Sequence, residues 1–492
     1  MKLEQIIEKI PVKAVTGSLD IEVESLCLDS RNVEGAGLFF ALKGVDADGH
    51  SFIGPALENG AVAVIAERSF PATTSATWIQ VKDSREAMGQ ISANFYGNPS
   101  LEMPVVGITG TNGKTTTAFL VHHLMQATLR RAGLLGTIQY LIADRVVDAP
   151  HTTPEAPDLQ AMLREMRDED CRAAVMEVSS HGLAQHRVTG VEFDVGVFTN
   201  LSQDHLDYHG TMERYFESKK LLFAQMQNNT VKKGLAVING DDRWCDRLLK
   251  MGIGSLDVVT FGQTSGNDLQ ASNIKYGFNG TTFSLSYKDR QFLVTVPLIG
   301  LFNVYNVLAA LAAADGIGLN LREAIKNIAE CPQVPGRLEL VAGRQMNYRV
   351  YVDYAHTPDA LVNVLKTLKE LEPQRIITVF GCGGDRDKVK RPKMGAAAEE
   401  GSDFSILTSD NPRTEDPERI LRDAEAGLQS DRYEVIADRR DAIERAINMA
   451  EERDIVLIAG KGHEAYQEID GVRHEFDDRQ TARNCIAARA EG

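Results

Sequence analysis

The chain carries the octapeptide Gly110-Thr111-Asn112-Gly113-Lys114-Thr115-Thr116-Thr117 between an apolar run, PVVGI, and a helical pattern, AFLVHHLMQ. Strand, glycine loop, Lys-Thr and helix together make a cradle for phosphate. Backbone N–H groups and the helix N-terminus face the anion, Lys114 reaches the terminal phosphates and Thr115 offers a hydroxyl to Mg²⁺. The strict GxxxxGK spacing is not met, because position 108 is Ile and the nearest earlier glycine, Gly107, is one residue too far. The loop is therefore a variant, and a plain strand-to-helix turn is the competing reading. ATP binding is the working hypothesis.

Downstream, Ala173 to His181 reads AAVMEVSSH, a buried strand ending in Glu177, two hydroxyls and a histidine. Ligands gather at the carboxyl ends of strands in open α/β sheets, so Glu177 is a candidate metal ligand, directly or through water. Taken alone, a carboxylate at a strand end is more often structural. The next apolar run, Val195 to Phe198, ends in Thr199-Asn200-Leu201-Ser202-Gln203-Asp204-His205-Leu206-Asp207 and adds His205. At about 100° per residue, Tyr215, Phe216, Leu222 and Phe223 of the helix predicted from Met212 to Phe223 form one apolar stripe, with Lys219 in its middle and Lys220 off it. A long charged side chain there usually snorkels to water. Turned inward, it can have a lowered pKa and carry a reactive neutral amine.

These groups need sheets to hold them. At about 150 residues per domain, 492 residues give a prior of three domains. Apolar runs alternate with helical patterns, the signature of α/β domains with mainly parallel sheets. Breaks at Gly97-Asn98-Pro99-Ser100 and Cys331-Pro332-Gln333-Val334-Pro335-Gly336 divide the chain into 1–98, 99–333 and 334–492. The expected fold is a smaller N-terminal α/β domain, a central P-loop nucleotide-binding domain with a mainly parallel sheet, and a C-terminal Rossmann-like domain. In the last segment four apolar runs end in polar loops: Asp353, Tyr354 and His356; Arg386 and Lys388; Asp410, Asn411, Pro412 and Arg413; and Gly460, Lys461, His463 and Glu464. In a parallel sheet all four share one edge.

The formal net charge of −16 argues against sequence-independent binding to nucleic acid or anionic membrane. Six scattered cysteines without a CxxC pair speak against a zinc site or a disulfide framework. The longest wholly apolar run, Val307 to Ala314, is far short of the roughly 20 residues of a membrane span. The N-terminal MKLEQIIEKI reads as an amphipathic helix without a cleavage site. A cytoplasmic location, no membrane insertion and a monomer are the expectations.

With GTNGKTTT, HTTP (His151 to Pro154), MEVSSHGL, TNLSQDHLDYHG and YFESKK in this order, the chain closely resembles the Mur ligase family of peptidoglycan synthesis over its whole length. Among its branches the pattern is most similar to members that add meso-diaminopimelate to UDP-N-acetylmuramoyl-L-alanyl-D-glutamate. The resemblance implies ATP-dependent, Mg²⁺-requiring amide-bond formation and a carbamylated lysine, which falls on Lys219. It implies Lys114, Lys219, Glu177 and His205 as catalytic residues, with Thr115, Glu177, His205 and Lys219 at the metal.

Site by site, the resemblance assigns Gly110 to Thr116, Asn303, Arg337 and Asp353 to ATP, with Asn306 also near adenine. It assigns Leu28, Ser30, His151, Thr152, Thr153, Ser179, Gln185 and Arg187 to the UDP-linked substrate, with Gly44 to Gly49 as a second contact there. The amino-acid acceptor falls to Arg386, Asp410, Asn411, Pro412, Arg413, Gly460 and Glu464. Diaminopimelate has a distal carboxylate that lysine lacks, and a forked arginine binds a carboxylate bidentately, so Arg413 with Arg386 is the expected selector. His205, His356 and Asp353 are candidates for the base that deprotonates the attacking amine. The rival readings are the same ligase using L-lysine, a folylpolyglutamate synthase-like ligase, and an ATP-driven switch that makes no bond.

Overall fold

The computed structural model describes residues 1–44, 47–69, 76–250, 253–342 and 346–491. The chain divides into two compact units, one of residues 1–270 and 305–327, the other of 271–304 and 328–492.

The first unit opens with a five-stranded sheet in the order Val12–Thr16, Thr77–Val81, Ala61–Ala66, Gly37–Phe40, Ser25–Cys27, antiparallel at the first pair and parallel elsewhere. Leu3, Ile6, Leu38, Phe40, Ile65, Ile79, Met88 and Ile91 fill its core. A second sheet follows. Its strands Gly133–Leu135, Ala174–Glu177, Val105–Thr109, Val195–Phe198, Leu235–Asn239 and Asp257–Gly262 are neighbours in that order and all parallel. Val105–Thr109 is buried throughout, as a strand covered on both faces must be, which is why its sequence reads as an uninterrupted apolar run. Glu177 pairs with Ile108, and Phe198 with Thr109. The strand ends bearing Glu177, Gly110 and Thr199 therefore lie side by side.

The helix Met212–Gln227 begins at Thr211, whose hydroxyl accepts the Arg214 N–H at 3.2 Å, and buries Tyr215, Phe216, Lys219, Leu222, Phe223 and Met226. It runs four residues past the predicted end at Phe223.

In the second unit a six-stranded sheet runs Glu339–Ala342, Arg349–Asp353, Ile455–Ala459, Ile376–Phe380, Phe404–Leu407, Tyr433–Val435, with only the first pair antiparallel. The four polar loops read from the sequence leave this sheet at one edge. The strand Leu269–Gly277 and the antiparallel pair Gly280–Tyr287 and Arg290–Val296 precede it in the chain, and the hairpin Tyr466–Ile469/Val472–Glu475 follows the last parallel strand. No helix among the described residues is long and apolar enough to cross a membrane.

One buried ion pair ties this edge down. Arg439 and Asp478 are both fully enclosed, with Nε to Oδ1 at 2.8 Å and Nη2 to Oδ2 at 2.7 Å, and Nη2 also donates to the Ala459 carbonyl at 3.0 Å. Removing one partner strands a charge in an apolar interior. Asp478→Ala is expected to lower stability by about 3–5 kcal/mol, read as a shifted midpoint in urea unfolding.

Candidate functional site

The turn from the strand Val105–Thr109 into the helix Lys114–Leu129 depends on two glycines. Gly110 has φ +148° and Gly113 φ +87°, conformations open to glycine but strained for other residues. A Cβ on Gly110 would also stand 1.9 Å from Thr199 Oγ1, and one on Gly113 2.4 Å from Asn306 Oδ1. Lys114 Nζ donates to the carbonyls of Gly110 at 3.0 Å and Thr111 at 2.9 Å. Lys219, 1% exposed, donates from Nζ to the same Gly110 carbonyl at 2.7 Å. Its amine lies 4.5 Å from the centre of the Tyr215 ring, and the Tyr215 hydroxyl is 3.2 Å from Thr111 Oγ1. Burial, and then the nearby charge of Lys114, drives Lys219 well below the usual lysine range.

Glu177 is buried at the next strand end. Its Oε2 accepts from the hydroxyls of Thr115 at 3.0 Å and Thr137 at 3.1 Å, and its Oε1 from the Thr137 N–H at 2.8 Å. Thr137 was not singled out from sequence. Its signal was the short apolar run Gly133–Leu135, another parallel strand ending beside Glu177. The hydroxyl chain continues, with Thr152 Oγ1 3.1 Å from Thr137 Oγ1. Beside it, Thr153 Oγ1 is 3.0 Å from the Glu177 carbonyl and 3.1 Å from Ser179 Oγ, which accepts the Gly182 N–H. Arg187 donates to the Thr153 carbonyl at 2.9 Å and to Gln185 Oε1 at 2.8 Å, and pairs with Glu155 at 2.9 Å. Glu155, next to the HTTP string, was also missed. His151 is exposed, and its carbonyl accepts the Tyr140 hydroxyl.

A histidine cluster borders these residues. His205 caps a short helix with φ +51° and lies 3.4 Å from Asp204, half exposed. The His181 ring stands 5.0 Å from that of His205 and 5.5 Å from that of His209. His209 is buried, with Nε2 3.0 Å from Ser180 Oγ and Nδ1 3.3 Å from Ser218 Oγ, and its ring is 5.0 Å from Tyr215. Thr115 and Glu177 thus meet directly, whereas Lys219 is engaged at Gly110 and His205 beside Asp204. No group of three or more His, Cys, Asp or Glu with metal-binding spacing occurs among the described residues. A hydroxyl beside a buried carboxylate fits Mg²⁺, which keeps several waters and takes few protein ligands.

Asn306 meets Thr117 at 3.3 Å, and Asn303, one turn earlier, donates to the Ile299 carbonyl at 2.9 Å. At the N-terminal sheet Ser30 is buried and its carbonyl accepts Asn59 Nδ2 at 2.8 Å. Leu28 packs against the core there, and Asp29 and Arg31 pair with each other. The loop 44–49 includes Val45 and Asp46, which lie outside the described residues.

In the second unit the Asp353 carboxylate accepts the N–H groups of Leu338 at 2.6 Å and Ala355 at 2.8 Å. Burial pushes it up to about 6 against the opposing charge of Arg337, whose guanidinium lies 5.0 Å from the Tyr354 ring centre. Lys461, fully buried, donates to Asn411 Oδ1 at 2.9 Å and pairs with Glu464 at 3.3 Å, and Asn411 Nδ2 donates to Glu464 at 2.8 Å. Burial raises the Glu464 pKa above the ordinary carboxylate value while Lys461 opposes. A Cβ on Gly460 would stand 2.6 Å from Asp410 Oδ2. Arg413 has φ +52°, held by its N–H to the Glu468 carbonyl at 2.9 Å and its carbonyl to the Asp470 N–H at 2.7 Å. The exposed Arg386 and the Arg413 guanidinium both flank Gly383: Arg386 Cγ and Arg413 Nη1 are 3.9 and 3.0 Å from where a Cβ there would stand.

A family model for the Mur ligase middle domain matches residues 108–314, one for the Mur ligase glutamate ligase domain 336–462, and one for the Mur ligase catalytic domain 22–96. Over 468 residues, 95% of each protein, the chain is 47% identical to a UDP-N-acetylmuramoyl-L-alanyl-D-glutamate–2,6-diaminopimelate ligase of Halalkalibacterium halodurans. It is 45% identical to one of Listeria monocytogenes over 99% of each. A solved structure of a ligase of that name is 38% identical with a TM-score of 0.75, covering 100% of this chain and 99% of that one.

Burial holds the His209 pKa down to about 4, with His181 and His205 adding, against an ordinary 6.5. Between those values the unfolded chain binds a proton there that the folded chain does not, so stability falls as pH drops through this window. His209→Gln should make the thermal midpoint fall less steeply between pH 6.5 and 4, as followed by calorimetry.

Proposed function

Since the chain belongs to the Mur ligase family, we propose that it is the ligase that joins meso-diaminopimelate to the D-glutamate γ-carboxylate of UDP-N-acetylmuramoyl-L-alanyl-D-glutamate, with ATP converted to ADP and phosphate. The segments 1–98, 99–333 and 334–492 take the UDP-linked substrate, ATP and the amino acid respectively. The observation that carries the reading is Lys219, enclosed and held on the carbonyl of the same loop glycine as Lys114. A phosphate loop alone would have no use for a second amine buried against it.

A carboxylate is a poor electrophile and its oxygen a poor leaving group. The γ-carboxylate attacks the terminal phosphorus of ATP, giving an acyl phosphate and ADP. The diaminopimelate amine then attacks the acyl carbon, and phosphate leaves as the amide forms. In the first step Lys114 exchanges its two carbonyl partners for phosphate oxygens and neutralises charge on the transferring group, since such catalysis is mainly positioning and electrostatics. Lys219, whose burial favours loss of its ammonium proton, adds CO₂ as the free amine and loses a second proton, turning an amine into an anion. Thr115, Glu177, His205 and carbamylated Lys219 would hold Mg²⁺, which supplies positive charge to the phosphates. Thr152, Thr153, Ser179, Gln185 and Arg187 orient the muramoyl dipeptide, and Ser30 and Leu28 its nucleotide end.

For the acceptor, Arg413 and Arg386 grip the distal carboxylate, Glu464 takes the distal ammonium and Gly460 offers its backbone. Lysine would leave the arginine cluster partly unpaired, at a cost on the order of a few kcal/mol, about a hundredfold in selectivity. Such precursor synthesis belongs in the cytoplasm.

Incubating the protein with ATP, Mg²⁺, the UDP-linked dipeptide and either amino acid tests this by mass spectrometry of the product. Diaminopimelate should be added about a hundredfold faster than lysine at limiting concentration, and equal rates would defeat the arginine assignment. Lys219→Ala should abolish ligation, and full activity in that variant would revive a switch that makes no bond.

A further inference from the structure

The loops carrying Arg386 and Arg413 follow the strands Ile376–Phe380 and Phe404–Leu407, and hydrogen bonds fasten each to the other. The Gly384 N–H donates to the Asn411 carbonyl at 2.9 Å, and Arg413 Nη1 to the Gly384 carbonyl at 2.6 Å. Two carboxylates then cross in opposite directions. Asp385 accepts the N–H of Thr414 at 3.1 Å and its hydroxyl at 2.9 Å, while Glu415 accepts the Asp385 N–H at 2.6 Å. Glu415 also receives Arg391 at 2.8 and 3.2 Å and Lys388 at 3.2 Å.

Arg391 is fully buried at the start of the helix Lys390–Gly401, and its remaining charged partner is Asp423, at 2.9 Å, on the helix Pro417–Glu425. Among the described residues of the Arg413 loop, Glu415 alone joins the helix base at Arg391, the backbone next to Arg386, and Lys388. An amide in its place could still accept from Asp385 but would leave a buried guanidinium short of a carboxylate, so the loops would repack.

We propose that Glu415 is a positioning residue for the arginine pair and so a determinant of acceptor selectivity, acting through the Asp385 backbone and Arg391 rather than by touching the acceptor. The inference rests on the acceptor reading given above. Two guanidiniums must present their donors at the spacing of one carboxylate, and a misplacement near 1 Å forfeits bidentate binding. The reciprocal Asp385 and Glu415 contacts fix that spacing before any acceptor arrives.

The test compares Glu415→Gln with Asp423→Asn, which removes the other carboxylate on Arg391 and touches neither loop. Glu415→Gln should raise KM for diaminopimelate about tenfold, leave KM for ATP and for the UDP-linked dipeptide within about twofold, and narrow the preference over lysine by the same factor. Asp423→Asn should lower the melting temperature without moving any KM. An unchanged diaminopimelate KM in Glu415→Gln, or a uniform loss in both variants, overturns the proposal. Hydrogen exchange of residues 381–389 in the ligand-free protein reads the clamp without substrate: faster exchange in Glu415→Gln alone supports it, and unchanged exchange overturns it. A wild-type protein that uses lysine as well as diaminopimelate, with faster exchange in Glu415→Gln, overturns the acceptor reading and leaves the clamp standing.

Discussion

The carbonyl oxygen of Gly110 accepts hydrogen bonds from two lysines. Lys114 belongs to the loop itself, but Lys219 comes from a helix 109 residues further along the chain. Two ammonium groups on one oxygen repel each other, and the interior offers Lys219 no water to disperse its charge, so the amine is driven toward the neutral form. The loop can host this arrangement only because position 110 has no side chain: any Cβ would strike Thr199. The conformation of one glycine, the burial of one lysine and the hydroxyl of a neighbouring strand end therefore constrain one another.

From that point the chemistry spreads along adjacent carboxyl ends of parallel strands. Glu177 sits one strand away from the loop and collects Thr115 and Thr137, while Thr152, Thr153 and Ser179 extend the hydroxyl chain toward Arg187. Because strands in a parallel sheet start together and end together, residues far apart in sequence arrive at one edge without any local signal of their meeting. The second unit repeats the principle with different groups. A buried Lys461 and Asn411 hold Glu464, and a left-handed backbone at Arg413 is fixed by the hairpin that follows the last parallel strand.

Much of this was legible in the sequence because it follows from local rules. An unbroken apolar run ending in a glycine loop and a helix start can be read residue by residue, as at Val105–Thr109 and Lys114–Leu129. The inward face of the helix bearing Lys219 follows from a period of 3.6 residues. Thr137, Glu155, His209 and Glu415 escaped notice for a common reason. Each is an ordinary polar residue whose partners lie on other segments: Thr137 is 40 residues from Glu177, and Glu415 is 30 from Asp385.

The sequence by itself thus determined which residue types could do phosphate and carboxylate chemistry, and which faces of which elements were apolar, because these depend on side-chain chemistry and short-range periodicity. Only the tertiary structure decided that Lys219 shares a carbonyl with Lys114, that Glu177 is met by Thr137 from a further strand, and that Asp385 and Glu415 cross between two loops. Those outcomes depend on strand order and register, and a one-dimensional pattern carries no information on which strand becomes whose neighbour.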